Sequence, residues 1–157
     1  MKKICSAIYL PFMVLFLMVI SLSSICFAEK LDAKIWESFG IGYYYNKKTL
    51  TKSSNVVSVW TYKFVTDNEK KDKIEIIKKE DSKKSVKYLK YDHYLGLWEI
   101  DCKKKLYRGK EFKDYDNQGK VLSSIKHLFD WKNIKPNSVM DKLYDKVCVM
   151  PKKPSKK

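Results

Sequence analysis

The sequence predicts an α+β domain in which an antiparallel β-sheet carries a C-terminal helix tied to it by one disulfide, together with a charged surface helix. Segments with period-two alternation of apolar residues flank a highly charged segment at 67–84. A single apolar stripe with helical spacing lies near the C-terminus. Beyond the N-terminal segment, Cys102 and Cys148 are the only cysteines. An exported domain with two thiols is expected to join them.

The N-terminal segment has the pattern of a secretory signal peptide over residues 1–28. Lys2 and Lys3 supply the positive start, an apolar run follows, and small residues precede the expected cleavage point. Lipidation of Cys26 and an uncleaved membrane anchor are the two alternatives, and the apolar run is short for a spanning helix. Cleavage at this point predicts an exported protein, which we expect in the periplasm or at the cell surface.

The exported part is expected to form one domain over residues 29–148, followed by a disordered Lys/Pro tail over 149–157. Removing Lys2 and Lys3 from the 33 basic residues leaves 31 against 18 acidic ones, a net charge of about +13. A basic protein of this kind attracts polyanions.

Lysine supplies nearly all of the positive charge, because Arg108 is the only arginine. Lysine is a hydrated point charge and lacks the planar donor fork that reads bases or phosphates bidentately. We therefore expect no sequence-specific nucleic-acid binding, and an unidentified protein or acidic polysaccharide as partner. Membrane contact is expected only through the signal peptide or a weak attraction to anionic surfaces. The alternative is that these lysines mainly keep the surface soluble.

The first strands are short and aromatic. Residues 35–39 and 41–45 predict two strands or one bent strand, since Gly40 and Gly42 interrupt them. Residues 55–66 predict a central strand because both faces are apolar: Val56, Trp60, Tyr62 and Phe64 on one face, and Val57, Val59 and Val65 on the other.

Residues 67–84 predict the charged surface helix, which Asp67 or Asn68 would cap. Lysines and carboxylates alternate along it, which is typical of a solvated helix face. The competing interpretation is a partner-binding surface formed by this segment and its continuation, with these candidate residues: Lys70, Lys71, Lys78, Lys79, Lys83, Lys84, Lys87, Lys90, Tyr88 and Tyr91.

The tyrosines are a second group of candidate partner-contact residues, because there are so many of them. Six of them exceed what one small core can hide completely: Tyr43, Tyr44, Tyr45, Tyr88, Tyr91 and Tyr94. Exposed tyrosines are good contact residues in interfaces. Half-buried packing on the sheet is the alternative expectation.

Residues 94–102 predict the next strand. Period-two spacing places Glu99 and Asp101 on one face, and the opposite face receives Trp98, Ile100 and Cys102. Arg108 is expected on the neighbouring strand, where its planar donors would pair with Glu99 or Asp101. A ligand contact is the alternative role for this arginine.

A hairpin is predicted from strands at 104–115 and 120–126, joined by a loop at 116–119 that contains Asn and Gly. The C-terminal helix then begins at Ser138, which caps it, with Asp141 supporting the first turn. Its apolar stripe is Val139, Met140, Leu143, Tyr144 and Val147. Cys148 ends the helix beside this stripe, so a disulfide would fasten the helix to the sheet.

Enzymatic motifs are absent from the sequence. His93 and His127 lack the spacing of metal ligands, and no nucleophile elbow, Walker loop or dinucleotide-binding glycine motif occurs. Glu99 and Asp101 could form an acid–base pair, and the two cysteines a redox couple, but a solvated sheet face and a structural disulfide are the favoured interpretations. We predict no catalytic residue, no metal and no cofactor.

An ordered set of residues resembles the surface-adhesin protein E family of bacterial exported proteins. The structural motif consists of Trp60, Trp98, Glu99, Asp101, Tyr107, Arg108, Asp116, Gly119, Trp131, Pro136, Ser138 and Leu143, with the two cysteines at matching spacing. The resemblance implies an antiparallel sheet, a helix tied to it by the disulfide, and a surface role, because the namesake adhesin binds host glycoproteins such as vitronectin and laminin. We therefore expect a non-enzymatic binding module. A soluble periplasmic accessory or envelope-stress factor without a host ligand is the alternative.

Overall fold

The computed structural model describes residues 31–149. The predicted signal peptide at 1–28 lies outside this range, as does the predicted tail at 149–157 except for Val149. Eight strands are present in the range: β1 (Trp36–Gly40), β2 (Tyr43–Asn46), β3 (Thr51–Ser53), β4 (Val56–Phe64), β5 (Tyr91–Asp101), β6 (Leu106–Asp116), β7 (Val121–Lys126) and β8 (Lys132–Asn133). Three α-helices accompany them: α1 (Asp67–Glu80), α2 (Ser82–Lys87), which a 3₁₀ turn at Tyr88–Lys90 continues, and α3 (Val139–Cys148).

All eight strands form one antiparallel sheet in the order β1-β2-β4-β5-β6-β7. The short strands β3 and β8 pair with β4 and β6 respectively. Strands β4 and β5 are central and pair continuously from Val56 opposite Asp101 to Phe64 opposite His93. The predicted antiparallel sheet is confirmed, and the central strand predicted at 55–66 is present as β4, which runs from Val56 to Phe64.

The sheet has an inner face, which the helices cover, and an outer face. Alternation along β4 places Val57 and Val59 on the inner face, and the register brings Ile100 of β5 opposite Val57. These three side chains and Leu143 of α3 are completely buried. The main core consists of Phe39, Tyr45, Val57, Val59, Ile100, Ile134, Leu143, Tyr144 and Val147. Removal of this apolar surface from water is the main force that holds α3 on the sheet.

A disulfide fastens α3 to the end of β5. Cys102 and Cys148 are joined, with their Cα atoms 5.5 Å apart. Beside this bond, the Tyr144 hydroxyl donates to the Cys102 carbonyl at 3.0 Å. The Lys146 ammonium also lies 3.0 Å from Glu37 of β1. The predicted fold class, including the disulfide and its position, is confirmed.

The start of α3 follows the predicted capping pattern. The Ser138 hydroxyl accepts the Asp141 amide at 3.2 Å, and the Asp141 carboxylate accepts the Asn137 amide at 2.8 Å. The Asp141 amide of the first turn and the Asn137 amide just before the cap therefore both find acceptors.

The charged segment forms two helices instead of the single helix predicted over 67–84. Asp81 has extended backbone angles (φ −150°, ψ 100°), which end α1, and its carboxylate accepts the Lys84 amide at 2.9 Å to begin α2. The cap of α1 also differs from the prediction: Thr66 occupies this position, and it forms a reciprocal capping box with Glu69. A threonine followed three residues later by a glutamate favours this pattern over a cap at Asp67.

Several strand boundaries differ from the prediction. Strand β5 begins at Tyr91 instead of residue 94, because pairing with β6 continues across a bulge to Asp116. Strand β6 begins at Leu106 instead of residue 104, because Lys105 has a positive φ of 54° in the preceding turn. The short strands β3 and β8 were not predicted. The hairpin loop at 116–119 is confirmed, with Gly119 at φ 76°.

Candidate functional site

The helices α1 and α2 are held at the opposite end of the inner face from α3. Ile77, Tyr88 and Tyr91 form a second apolar cluster there. Glu69 near the start of α1 forms an ion pair with Lys63 of β4. Desolvation acts to raise the pKa of the Glu69 carboxyl, but the Lys63 ammonium and the Thr66 amide outweigh it, so the pKa lies below its ordinary value. The glutamate therefore stays ionised and fastens the helix to the sheet.

The predicted lysines lie on these helices and on the adjoining 3₁₀ turn. Seven of the eight are exposed and Lys70 is half-buried. We call this set the basic helical surface: Lys70, Lys71, Lys78, Lys79, Lys83, Lys84, Lys87 and Lys90. From residue 78 to residue 90 the chain has six lysines against two acidic residues, Glu80 and Asp81. The positive charge is therefore concentrated at the end of α1, in α2 and in the 3₁₀ turn.

The structure corrects the expectation that Tyr88 and Tyr91 contact a partner. Their exposed fractions are 1% and 5%, and both hydroxyls donate to Asp114 of β6, at 2.9 and 3.1 Å. Burial, reinforced by the Asp114 carboxylate, raises the pKa of each phenol well above its ordinary value of 10. Lys73 of α1 also lies 3.3 Å from Asp114. These tyrosines anchor the helices to the sheet instead of presenting a binding surface.

A hollow with an apolar lining lies within the basic helical surface. It has a volume of about 490 Å³ and is lined by Ile74, Lys78, Ser82, Lys83, Ser85, Val86 and Leu89. Val86 and Leu89 are 63% and 62% exposed. Neither residue was among the predicted site residues, although two aliphatic side chains three positions apart between lysines are visible in the sequence.

A charged cluster occupies the outer face between β5 and β6. Glu99 lies opposite Arg108, whose Nε donates to it at 2.8 Å, and Lys110 lies 2.8 Å from the other carboxylate oxygen. The Arg108 guanidinium also lies over the Trp131 ring, 4.3 Å from its centroid. Desolvation acts to raise the pKa of Glu99, but Lys110 and Arg108 hold it below its ordinary value. The predicted cross-strand pair is therefore present, with Glu99 as the carboxylate and not Asp101.

Other residues of the predicted motif stabilise turns and the core. Asp101 accepts the amides of the turn after β5, and Asp116 accepts those of the 116–119 hairpin. The Trp98 indole donates to the Thr61 hydroxyl at 3.0 Å on the inner face. Leu143 is completely buried. These contacts give the motif residues structural roles.

Most of the remaining tyrosines are half-buried on the sheet, as the alternative interpretation expected. Tyr45 is 6% exposed, and Tyr43, Tyr44 and Tyr94 are half-buried. The outer face also carries a row of rings, in which His93 stacks between Tyr62 and Tyr115 with centroid distances of 4.6 and 4.9 Å. His93 is therefore packed within the sheet surface, whereas His127 is exposed.

A pocket of about 260 Å³ adjoins Glu99 and Arg108, and its other lining residues are Thr51, Ser53, Val56 and Ser58. Neither Asp101 nor a histidine lines it. Across residues 31–149, no group of three or more His, Cys, Asp or Glu side chains is arranged to hold a metal ion. In the same range, no helix combines the length and apolar character needed to cross a bilayer.

Comparison with known proteins relates the fold to a family. The sequence pattern of the surface-adhesin protein E family matches residues 33–149. No match is found among curated proteins. The fold is similar to that of Haemophilus influenzae protein E, solved as its crystal form II, with a TM-score of 0.52 and 10% sequence identity. That similarity covers 76% of this chain and 91% of the other. Since the family pattern covers nearly all of the described residues, the chain belongs to the surface-adhesin protein E family.

Proposed function

We propose that the protein is an exported, non-enzymatic binding module that contacts an acidic glycoprotein or another polyanion through its basic helical surface. The observation that carries this proposal is the exposure of seven lysines on α1, α2 and the adjoining 3₁₀ turn. Membership of a family described as surface adhesins supports a role in binding outside the cytoplasm.

The chemistry of the surface favours a partner with spread-out negative charge. Lysine ammonium groups are hydrated and flexible, so they attract a field of carboxylates or sulfates without demanding one geometry. Arg108, the only arginine, is occupied by Glu99 and Trp131 on the outer face. Binding of this kind accelerates encounter and weakens as salt screens the charges.

The test is a pull-down of envelope extract and of matrix glycoproteins, vitronectin and laminin among them, at low and high salt. We compare the wild type with a variant in which Lys78, Lys79, Lys83 and Lys84 are replaced by glutamine. The matched control removes the same charge elsewhere, through glutamine at the exposed residues Lys48, Lys52, Lys103 and Lys104.

The proposal expects salt-sensitive capture that the first variant loses and the control variant retains. Equal losses in both variants would show that only net charge matters. Capture that is insensitive to salt would contradict a lysine-driven mechanism.

The location of the protein is tested separately by fractionation. Recovery at the cell surface or in the medium supports adhesion. Recovery only from the periplasmic extract supports the alternative, a soluble periplasmic accessory or envelope-stress factor without a host ligand.

A further inference from the structure

The basic helical surface contains apolar groups that a purely electrostatic contact does not use. Val86 in α2 and Leu89 in the 3₁₀ turn are 63% and 62% exposed. Both line the hollow of about 490 Å³, together with Ile74 of α1. Two exposed aliphatic side chains in one hollow need an explanation, because burying each of them would lower the free energy.

Lysines accompany these aliphatic groups, two in the hollow and four nearby in the chain. Lys78 and Lys83 line the hollow itself, and Lys79, Lys84, Lys87 and Lys90 are exposed nearby in the chain. One of the two carboxylates in this part of the chain, Asp81, is engaged as the cap of α2. The hollow therefore combines three aliphatic side chains with two lysines in its lining.

The combination of lysines with aliphatic side chains favours some acidic partners over others. An acidic polysaccharide carries charge but no aliphatic group, so it gains nothing from Val86 and Leu89. An anionic lipid surface offers both, since its headgroups meet the lysines while the aliphatic side chains leave water below them. An acidic protein segment is less well matched, because the surface supplies no arginine for bidentate carboxylate recognition.

We propose that this part of the basic helical surface docks on an anionic lipid surface, with Val86 and Leu89 entering the headgroup region and the surrounding lysines contacting the lipid phosphates. The inference rests on the proposed function, because it names the partner class of the same surface. It differs from that function in requiring the aliphatic pair as well as the lysines.

The experiment uses the exported protein, purified in its processed form, and two probes: vesicles of phosphatidylglycerol with phosphatidylcholine, and heparin as a soluble polyanion. The main variant is V86S/L89S. The matched control is I41S, which removes an aliphatic side chain that is 100% exposed in the turn between β1 and β2. All three altered residues are largely exposed, so the variants should fold, and equal melting temperatures check this.

V86S/L89S should bind the anionic vesicles at least about tenfold more weakly than the wild type, because two partly inserted side chains are lost. Its affinity for heparin should not change, and I41S should behave as the wild type with both probes. Replacing Lys83 and Lys87 with glutamine should weaken vesicle binding about fivefold per residue and should also weaken heparin binding.

The possible failures are distinguishable. Unchanged vesicle binding by V86S/L89S overturns the insertion of the aliphatic pair, and equal binding to vesicles of phosphatidylcholine alone overturns the role of anionic lipid. A wild-type protein that binds heparin or glycoprotein but no vesicle refutes the lipid inference and leaves the proposed function standing. Binding to none of these partners refutes both.

Discussion

Loss of the disulfide between Cys102 and Cys148 should be the most informative single perturbation of this fold. The two residues are 46 positions apart, and their bond fastens α3 to the end of β5. In the chain-entropy treatment, closing a loop of this length destabilises the unfolded chain by about 4 kcal/mol. Since domains of this size have a net stability of about 5–15 kcal/mol, the loss would remove a large share of it.

The assay is urea unfolding followed by tryptophan fluorescence. Three samples are compared: the oxidised protein, the same protein in reductant, and the variant C102S/C148S. Reduction leaves both sulfur atoms in place, so it isolates the covalent constraint, whereas the variant also changes packing beside the core. The expected result is a free energy of unfolding lower by about 4 kcal/mol in both altered samples, with a larger m-value because the unfolded chain expands. A change below about 1 kcal/mol on reduction would refute the chain-entropy reasoning.

Three further substitutions test the core, the outer face and the packing of Phe112 over Gly109. Leu143→Ala should lower the free energy of unfolding by about 3 kcal/mol, because the side chain is completely buried, and urea unfolding measures the loss. Glu99 has a folded-state pKa below the ordinary 4.5, so its stabilising contribution is present above that value and is lost as the pH falls through the folded pKa. Glu99→Gln should therefore reduce stability at neutral pH and flatten its decline in acid, and an equal decline in both proteins would contradict the assignment. Gly109→Ala should cost about 1–3 kcal/mol, since the new Cβ would lie 2.5 Å from the Phe112 ring, and an unchanged melting temperature would show that the ring moves aside freely.

Local sequence patterns predicted the main elements correctly where a single physical rule determines the outcome. Alternation over 55–66 predicted β4 because side chains of a strand point to opposite faces. Ser138 predicted the start of α3, since its hydroxyl supplies an acceptor that the first turn needs. The expected export and the presence of two cysteines predicted the disulfide. This prediction did not require the sheet register that brings the two residues together.

Predictions failed where the structure of a segment depends on competing local signals or on residues far away in the sequence. The break at Asp81 depends on its extended backbone and on its acceptance of the Lys84 amide, and continuous helical spacing did not show it. Tyr88 and Tyr91 looked like surface residues among lysines, yet Asp114 lies 26 and 23 positions further along the chain and accepts both hydroxyls. A buried hydroxyl needs such a partner, and the sequence does not identify it.

The sequence by itself determined the class of domain, the lysine character of its charge and the two residues that the disulfide joins, because composition and short-range periodicity carry that information. Only the tertiary structure decided that Glu99 is the partner of Arg108 and that Tyr88 and Tyr91 turn inward. It also decided that Val86 and Leu89 lie exposed in a hollow lined by Lys78 and Lys83. These features depend on sheet register and on how α1 and α2 pack against β5 and β6, which arise from contacts between residues far apart in the chain.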